Sequence, residues 1–203
     1  MPKKFIFIAF FFIFIPAYAN AQTEPTILYQ EDFKSGQADD WLEKSDPGAV
    51  WEVINGKYSL KIPTYNLGAE SIYQNGFAWR DYTLSLDIKL NDGVDRNIIF
   101  RRQDNQNYYF LGLRGFWRYA SNDTPVIYLA KCYQGQCVGN QYWQYFAAHH
   151  FNNPSALNNE TAGIKIEAVK NRVKIFYNNE LVIDWQEDTE NYPKSGTIGF
   201  HGW

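Results

Sequence analysis

The sequence predicts an all-β chain folded as an antiparallel two-sheet jelly-roll sandwich. Three observations carry that expectation. Apolar residues recur with a period of two, no stretch carries a sustained helical stripe, and Gly, Asn and Asp punctuate the chain at short intervals. Alternation at period two sends successive side chains to opposite faces, which is what a strand with one buried face requires.

Residues 1–21 stand apart from the rest. Lys3 and Lys4 precede an unbroken apolar run from Phe5 to Ile15, and Pro16 ends it. Such a run has the length of a signal-peptide h-region and is too short to span a bilayer as a helix. Two small-x-small sites follow, Ala17-Tyr18-Ala19 and Ala19-Asn20-Ala21. The second is favoured, so the mature chain is expected to begin at Gln22, as a secreted or periplasmic product with no membrane span. No Cys lies near this point to carry a lipid.

The remaining 182 residues suit one domain, 22–203, with a core of its own. Loss of two lysines takes the formal charge from -3 to -5. An acidic chain of this kind is a poor match for nucleic acid as its main partner.

The elements follow in order. Trp51-Glu52-Val53-Ile54 and Lys57 to Ile62 flank Asn55-Gly56, a pair that tolerates positive φ, and so read as a hairpin. Leu84, Leu86, Ile88 and Leu90 alternate with Thr83, Ser85, Asp87 and Lys89 in a strand with one buried face. Tyr108 to Arg114 and Val126 to Leu129 read as further strands, and Gln141 to Phe146 repeats their pattern. Asn152-Asn153-Pro154-Ser155 and Asn158-Asn159 read as loop. Ile164, Ile166 and Ala168, then Val173, Ile175 and Tyr177, then Leu181, Ile183 and Trp185 give three more strands, the last two joined at Asn178-Asn179. Cys132 and Cys137, the only cysteines, frame four residues; in an oxidising compartment a disulfide is expected.

Three stretches carry a resemblance to a known superfamily: Tyr29 to Phe33 with Trp41 and Trp51 to Tyr58; Asp81 to Leu84 through Ile99-Phe100-Arg101 and Asn107-Tyr108-Tyr109; and Val173 to Glu180 through Gly196-Thr197-Ile198-Gly199-Phe200. Together they resemble the concanavalin A-like, laminin-G-like jelly rolls, including bacterial sugar-binding modules and the keto-disaccharide hydrolase-type domain. The resemblance covers most of residues 27–203. It implies a last strand after Gly-x-Ile-Gly-Phe, so a chain stopping at Trp203 is expected to lack that strand.

The aromatic residues cluster: 14 of the 30 in residues 22–203 lie between Ile98 and Phe151. In Tyr108 to Arg114, one parity (Tyr109, Leu111, Leu113) suits a core. The other places Tyr108, Phe110 and Arg114 where small polar groups would normally face water. Rings interleaved with Arg and Gln match a pyranose, which offers a flat C–H face and a rim of hydroxyls. The expected partner is therefore a polysaccharide or oligosaccharide on a concave sheet face, met by Arg101, Arg102, Tyr108, Arg114, Trp117, Tyr128, Tyr142 and Trp143. The alternative reading is that these rings fill the core. Arg101, Arg102, Arg114 and Arg118 also make an acidic sugar conceivable, because guanidinium forks match carboxylates.

The sequence favours binding over catalysis. Most glycosidases need two carboxylates at a fixed separation. The Glu-x-Asp-x-x-Glu strand of laminarinase-type relatives has no match here, and Glu180, Asp184 and Glu187 read as a hairpin strand and its exit. A small hydrolase of disaccharide-like substrates and a protein-contact sandwich remain the alternatives. His149-His150 reads as loop polarity. Calcium is the one cofactor the resemblance brings in, with Glu31-Asp32 and Asp39-Asp40 as the available hard-oxygen groups.

Overall fold

The structure, a computed structural model, describes residues 26–64, 67–91, 95–115, 124–138 and 145–203, with only the backbone described at 90 and 95. Two compact units are distinguished, Met1–Glu31 and Asp32–Trp203. In the first, residues 26–31 carry no strand. All the strands belong to the second, and among the described residues there is no helix.

The larger sheet runs from edge to edge as β1 (Trp41–Ser45), β4 (Ala69–Tyr73), β14 (Thr197–Gly202), β6 (Asp95–Arg102), β7 (Tyr108–Arg114), β8 (Val126–Tyr133) and β10 (Ala147–His150), with β9 (Gln136–Val138) also paired to β8. The smaller sheet is β13 (Glu180–Gln186), β12 (Arg172–Tyr177), β11 (Glu160–Val169) and β5 (Tyr82–Leu90). A separate hairpin joins β2 (Val50–Ile54) to β3 (Lys57–Lys61). Every pairing is antiparallel. This is the expected jelly-roll sandwich. The segment containing Gly-Thr-Ile-Gly-Phe is itself β14, and it lies inside the larger sheet, bonded to β4 on one side and β6 on the other.

Local sequence explains most of the elements. Asn55-Gly56 turns with φ of 51° and 69°, and Asn178-Asn179 with 48° and 69°, the left-handed geometry that tight hairpins need. Gln134-Gly135 does the same between β8 and β9, where Cys132 and Cys137 are directly opposed and disulfide-bonded. One parity assignment fails. Leu181 is 46% exposed although Ile183 is buried, because Ile175 pairs with Ile183 and Phe176 with Leu181, leaving Val182 as an extra residue that reverses the alternation.

The core lies between the sheets. Ile98, Phe100, Tyr109, Leu111, Leu113, Ile127 and Leu129 on the larger sheet and Ile164, Ile166, Ala168, Val173 and Ile175 on the smaller one are essentially inaccessible to solvent. Each large aliphatic among them contributes on the order of 1.5–3 kcal/mol by leaving water. Toward β1, the β2–β3 hairpin covers the same face. Trp41 stacks on Phe200 with centroids 5.2 Å apart and lies 5.7 Å from Tyr58, whose hydroxyl shares a hydrogen bond of 2.6 Å with buried Ser71.

Arg101 does not face a ligand; it is fully buried. Between β6 and β14, Thr197 pairs with Arg102 and Gly199 with Ile99, so β6 holds one more residue than its partner across this interval. Arg101 takes up the irregularity with φ 48°. Its guanidinium donates to the carbonyls of Arg80 at 3.2 Å and Lys170 at 2.7 Å and meets the Asp81 carboxylate at 3.4 Å, while its backbone N–H donates to Tyr82 Oη at 2.8 Å. These partners belong to the smaller sheet and its approaches. Gly196 enters β14 beside the bulge with φ 140°, where a Cβ would stand 2.4 Å from backbone atoms of Arg101 and Arg102. No other residue fits there.

Asp81 is half exposed, so the ion pair itself contributes little. The carbonyl bonds and the packed volume matter more. Arg101→Ala is expected to lower unfolding stability by about 2–4 kcal/mol, measured by urea denaturation at neutral pH. An unchanged midpoint would show that the sheets are joined without it.

Candidate functional site

Strand register places two distinct rows on the second face of the larger sheet, the one turned away from the smaller sheet. Ile72, Gly199, Ile99, Phe110 and Ala130 stand side by side across β4, β14, β6, β7 and β8. In the next row come Glu70, His201, Asn97, Gly112, Tyr128 and, on β10, Ala148. Ile72, Ile99, Phe110, Val126, Tyr128 and Ala130 form one apolar cluster, with Tyr108, Tyr145, Phe146 and Ala148 packed on it half-buried. The larger sheet therefore carries apolar rows on both faces, whereas an antiparallel sheet commonly gives one of them to water.

The rings are arranged by a glycine. A Cβ on Gly112 would lie 2.1 Å from Tyr128 Cζ, so the Tyr128 ring lies across β7 in the space that any other residue would fill. Phe110 meets it edge-on at 6.1 Å and Tyr145 packs against it at 5.5 Å. The Arg114 guanidinium is 5.8 Å from the same ring. Tyr145 is held in turn by His150, whose Nε2 shares a hydrogen bond of 3.1 Å with the Tyr145 hydroxyl and whose Nδ1 shares one of 3.1 Å with Thr124. His150 thus belongs to a strand, β10, and not to a loop, because it pairs with Val126 of β8.

Polar groups border this floor. The Arg102 fork binds both oxygens of Glu70, at 2.6 and 3.0 Å, and also donates to Asn105 at 2.6 Å. It lies 5.6 Å from the Tyr108 ring. Burial raises the Tyr108 phenol above its usual pKa; Arg102 opposes that and Glu70 adds to it, so at neutral pH the hydroxyl is a neutral donor. Asn97 and His201 share a hydrogen bond of 3.1 Å in the neighbouring row.

Of the residues anticipated from sequence, Arg102, Tyr108, Arg114 and Tyr128 come together on this face. Arg101 points to the opposite side. Trp117, Tyr142 and Trp143, like Arg118, lie outside the described residues. Glu70, Asn97, His201 and Asn105 were not anticipated, and no local motif marks them; Tyr145 falls in the aromatic stretch 141–146 but was not named as a site residue. The acidic series read from sequence has structural roles: Asp184 receives a forked Arg172 across β12 and β13 at 2.7 and 2.6 Å, and Glu187 is buried against Lys131.

A hydrolytic site would need two carboxylates facing one space. Among the described side chains of these strands, Glu70 is the only carboxylate on the second face. Nor do the calcium candidates gather. Asp32 is held by Lys34 through both its backbone N–H and its ammonium group. No group of three or more His, Cys, Asp or Glu side chains suited to a metal ion occurs among the described residues. Among the described residues, then, no set of side chains fits the ion that the resemblance implied.

No protein-family model matches the chain, and no curated protein matches it in sequence. Solved structures match its fold. The carbohydrate-binding module CBM66 from Bacillus subtilis is 19% identical over 81% of this chain and 88% of that one, with a TM-score of 0.58. A Bacillus subtilis protein of galectin-like fold is 14% identical over 88% and 90%, with a TM-score of 0.64. The exoplasmic/lumenal domain of VIP36 in its Ca2+/Man3GlcNAc-bound form is 9% identical over 85% and 79%, with a TM-score of 0.62. At these identities the likeness is one of fold.

Gly112→Ala tests how the floor is built. The added methyl must displace the Tyr128 ring, at a cost of about 1–3 kcal/mol for overpacking. The expected result is a lower melting temperature together with an altered near-ultraviolet circular dichroism signal. An unaltered spectrum would mean that the ring does not occupy that space in solution.

Proposed function

We propose that this chain is an exported carbohydrate-binding domain that recognises a glycan on the second face of its larger sheet. One observation carries the reading. A sheet face that would ordinarily be small and polar is floored by Phe110, Tyr128 and Tyr145 and bordered by Arg102, Glu70, Asn97, His201 and Arg114. Flat apolar rings suit the C–H face of a sugar ring, and the surrounding donors and acceptors suit its hydroxyls. The structural neighbours lend support, since one is a carbohydrate-binding module and another was solved with Man3GlcNAc. The signal-like N-terminus and the Cys132–Cys137 disulfide fit an oxidising destination.

Saturable binding without turnover is expected when the purified protein is screened against a broad panel of polysaccharides. Tyr128→Ala should weaken any hit by about fivefold or more, the loss expected of an aromatic contact and of the floor it supports. A blank screen with well-folded protein would turn the reading toward protein contact.

Export has its own test. N-terminal sequencing of protein recovered outside the cytoplasm is expected to begin at Gln22. An intact Met1 or Pro2 terminus would sink the proposal of a cleaved signal peptide.

A further inference from the structure

We infer that the glycan met at this face is a neutral sugar presenting a vicinal diol, held between Glu70 and Arg102 beside Tyr108, and not a uronate. The inference rests on the glycan-binding reading and deepens it. Counting arginines along the chain points to an acidic ligand, but their placement points the other way. Arg101 is sealed inside the sandwich. The Arg102 fork is already matched to a carboxylate, that of Glu70, through both of its terminal nitrogens.

The hydrogen-bonding capacity left by these bonds is of mixed sign. Each Glu70 oxygen accepts one bond from Arg102 and keeps further lone-pair capacity, and Arg102 uses three of its five N–H groups on Glu70 and Asn105. A charged acceptor and a charged donor therefore sit side by side. Adjacent sugar hydroxyls meet that need together, one donating to the carboxylate while its neighbour accepts from the guanidinium. Both bonds are charge-assisted, and no charge on the sugar is required. Glu70 retains 25% and Arg102 9% of side-chain exposure, so the pair is reachable at its outer edge while shielded enough for these bonds to count.

Among the described side chains, a carboxylate on the ligand would find no unmatched charge at this pair, and it would face Glu70. Two other described cations of this face, Lys44 and Arg114, do not change this. Lys44 pairs in register with Glu70 but is exposed at the sheet edge, where a solvated ammonium contributes little. Arg114 lies six residues from Tyr108 on the same strand, about 20 Å along it. Asn97 and His201, in the same row as Glu70, share one hydrogen bond and extend the site with further polar atoms.

The test is calorimetric binding of the purified protein to neutral gluco-, manno-, galacto- and fructo-oligosaccharides, to oligogalacturonate and alginate oligomers, and to the neutral set with vicinal hydroxyls O-methylated. Binding is expected for at least one neutral series, with uronates and the methylated sugars weaker by about tenfold or more, the size of a lost hydrogen bond to a charged group. Glu70→Gln should lose a similar factor while melting near the parent temperature. O-methylation requires no variant, so it decides the matter even if Glu70→Gln misfolds. Uronate binding as tight as neutral binding, or indifference to O-methylation, would overturn the diol clamp while leaving glycan binding intact. Silence from every sugar would overturn both.

Discussion

The sandwich depends on how one buried guanidinium is satisfied. Taking an arginine out of water is costly unless every N–H finds a partner, and a half-satisfied network is worse than an apolar one. Arg101 bonds through each of its three guanidinium nitrogens, chiefly to the backbone carbonyls of Arg80 and Lys170 and only marginally to a carboxylate. The carbonyls sit before β5 and in the β11–β12 turn, so the bonds fix the smaller sheet against β6 at one end. The bulge that makes this geometry available has a second consequence. It turns Arg101 inward and leaves the adjacent Arg102 on the outer face, where it reaches Glu70.

The outer face is itself an energetic problem. Apolar rows left open to water invite association, and large exposed patches are uncommon on monomers. Here Ile99, Phe110 and Tyr128 are buried among their neighbours, and the more accessible groups at the margins are Tyr108, Tyr145, Glu70 and His201. Pairing Glu70 with Arg102 keeps charge at that margin without a net field. Gly112 lets Tyr128 lie flat, which lowers the ring into the sheet. The same glycine that weakens a strand in isolation is what the ring requires.

Much of the fold was legible because its signals are local. Alternation marks β5, β11 and β12 in the sequence, Asn-Gly and Asn-Asn mark the turns, and two cysteines five positions apart fall opposite each other on a hairpin. The site was legible only in part. Arg101 and Arg102 look alike in sequence, and nothing short of the bulge, which needs β14 as partner, tells which faces the core. Glu70 is 32 positions from Arg102, and His201 is 104 from Asn97, so their proximity is a product of strand order. His150 looked like loop because the two histidines lack apolar alternation; its pairing with Val126 overrides that propensity.

Binding a sugar with rings and hydrogen bonds succeeds when the surface is rigid beforehand, since ordering it on contact would consume the gain. The inward residues of the strands that carry the proposed site supply that rigidity. Arg102 on β6 is next to Arg101, and Tyr108 on β7 is next to Tyr109, whose hydroxyl donates to buried Glu187 at 3.3 Å. On β8, Lys131 lies opposite Tyr109 and joins the same carboxylate. Glu187 follows β13 of the smaller sheet, so each of the three strands carrying Arg102, Tyr108 and Tyr128 outward is tied inward by a polar group across the sandwich. Burial and the Glu187 charge both hold the Tyr109 phenol well above its usual pKa, which keeps it a donor and keeps the Glu187 network satisfied throughout the neutral range. A purely apolar core would hold the sheets together with less control over their lateral position. Directional bonds at β6, β7 and β8 fix it, and with it the spacing between the Glu70–Arg102 pair and the tyrosine floor.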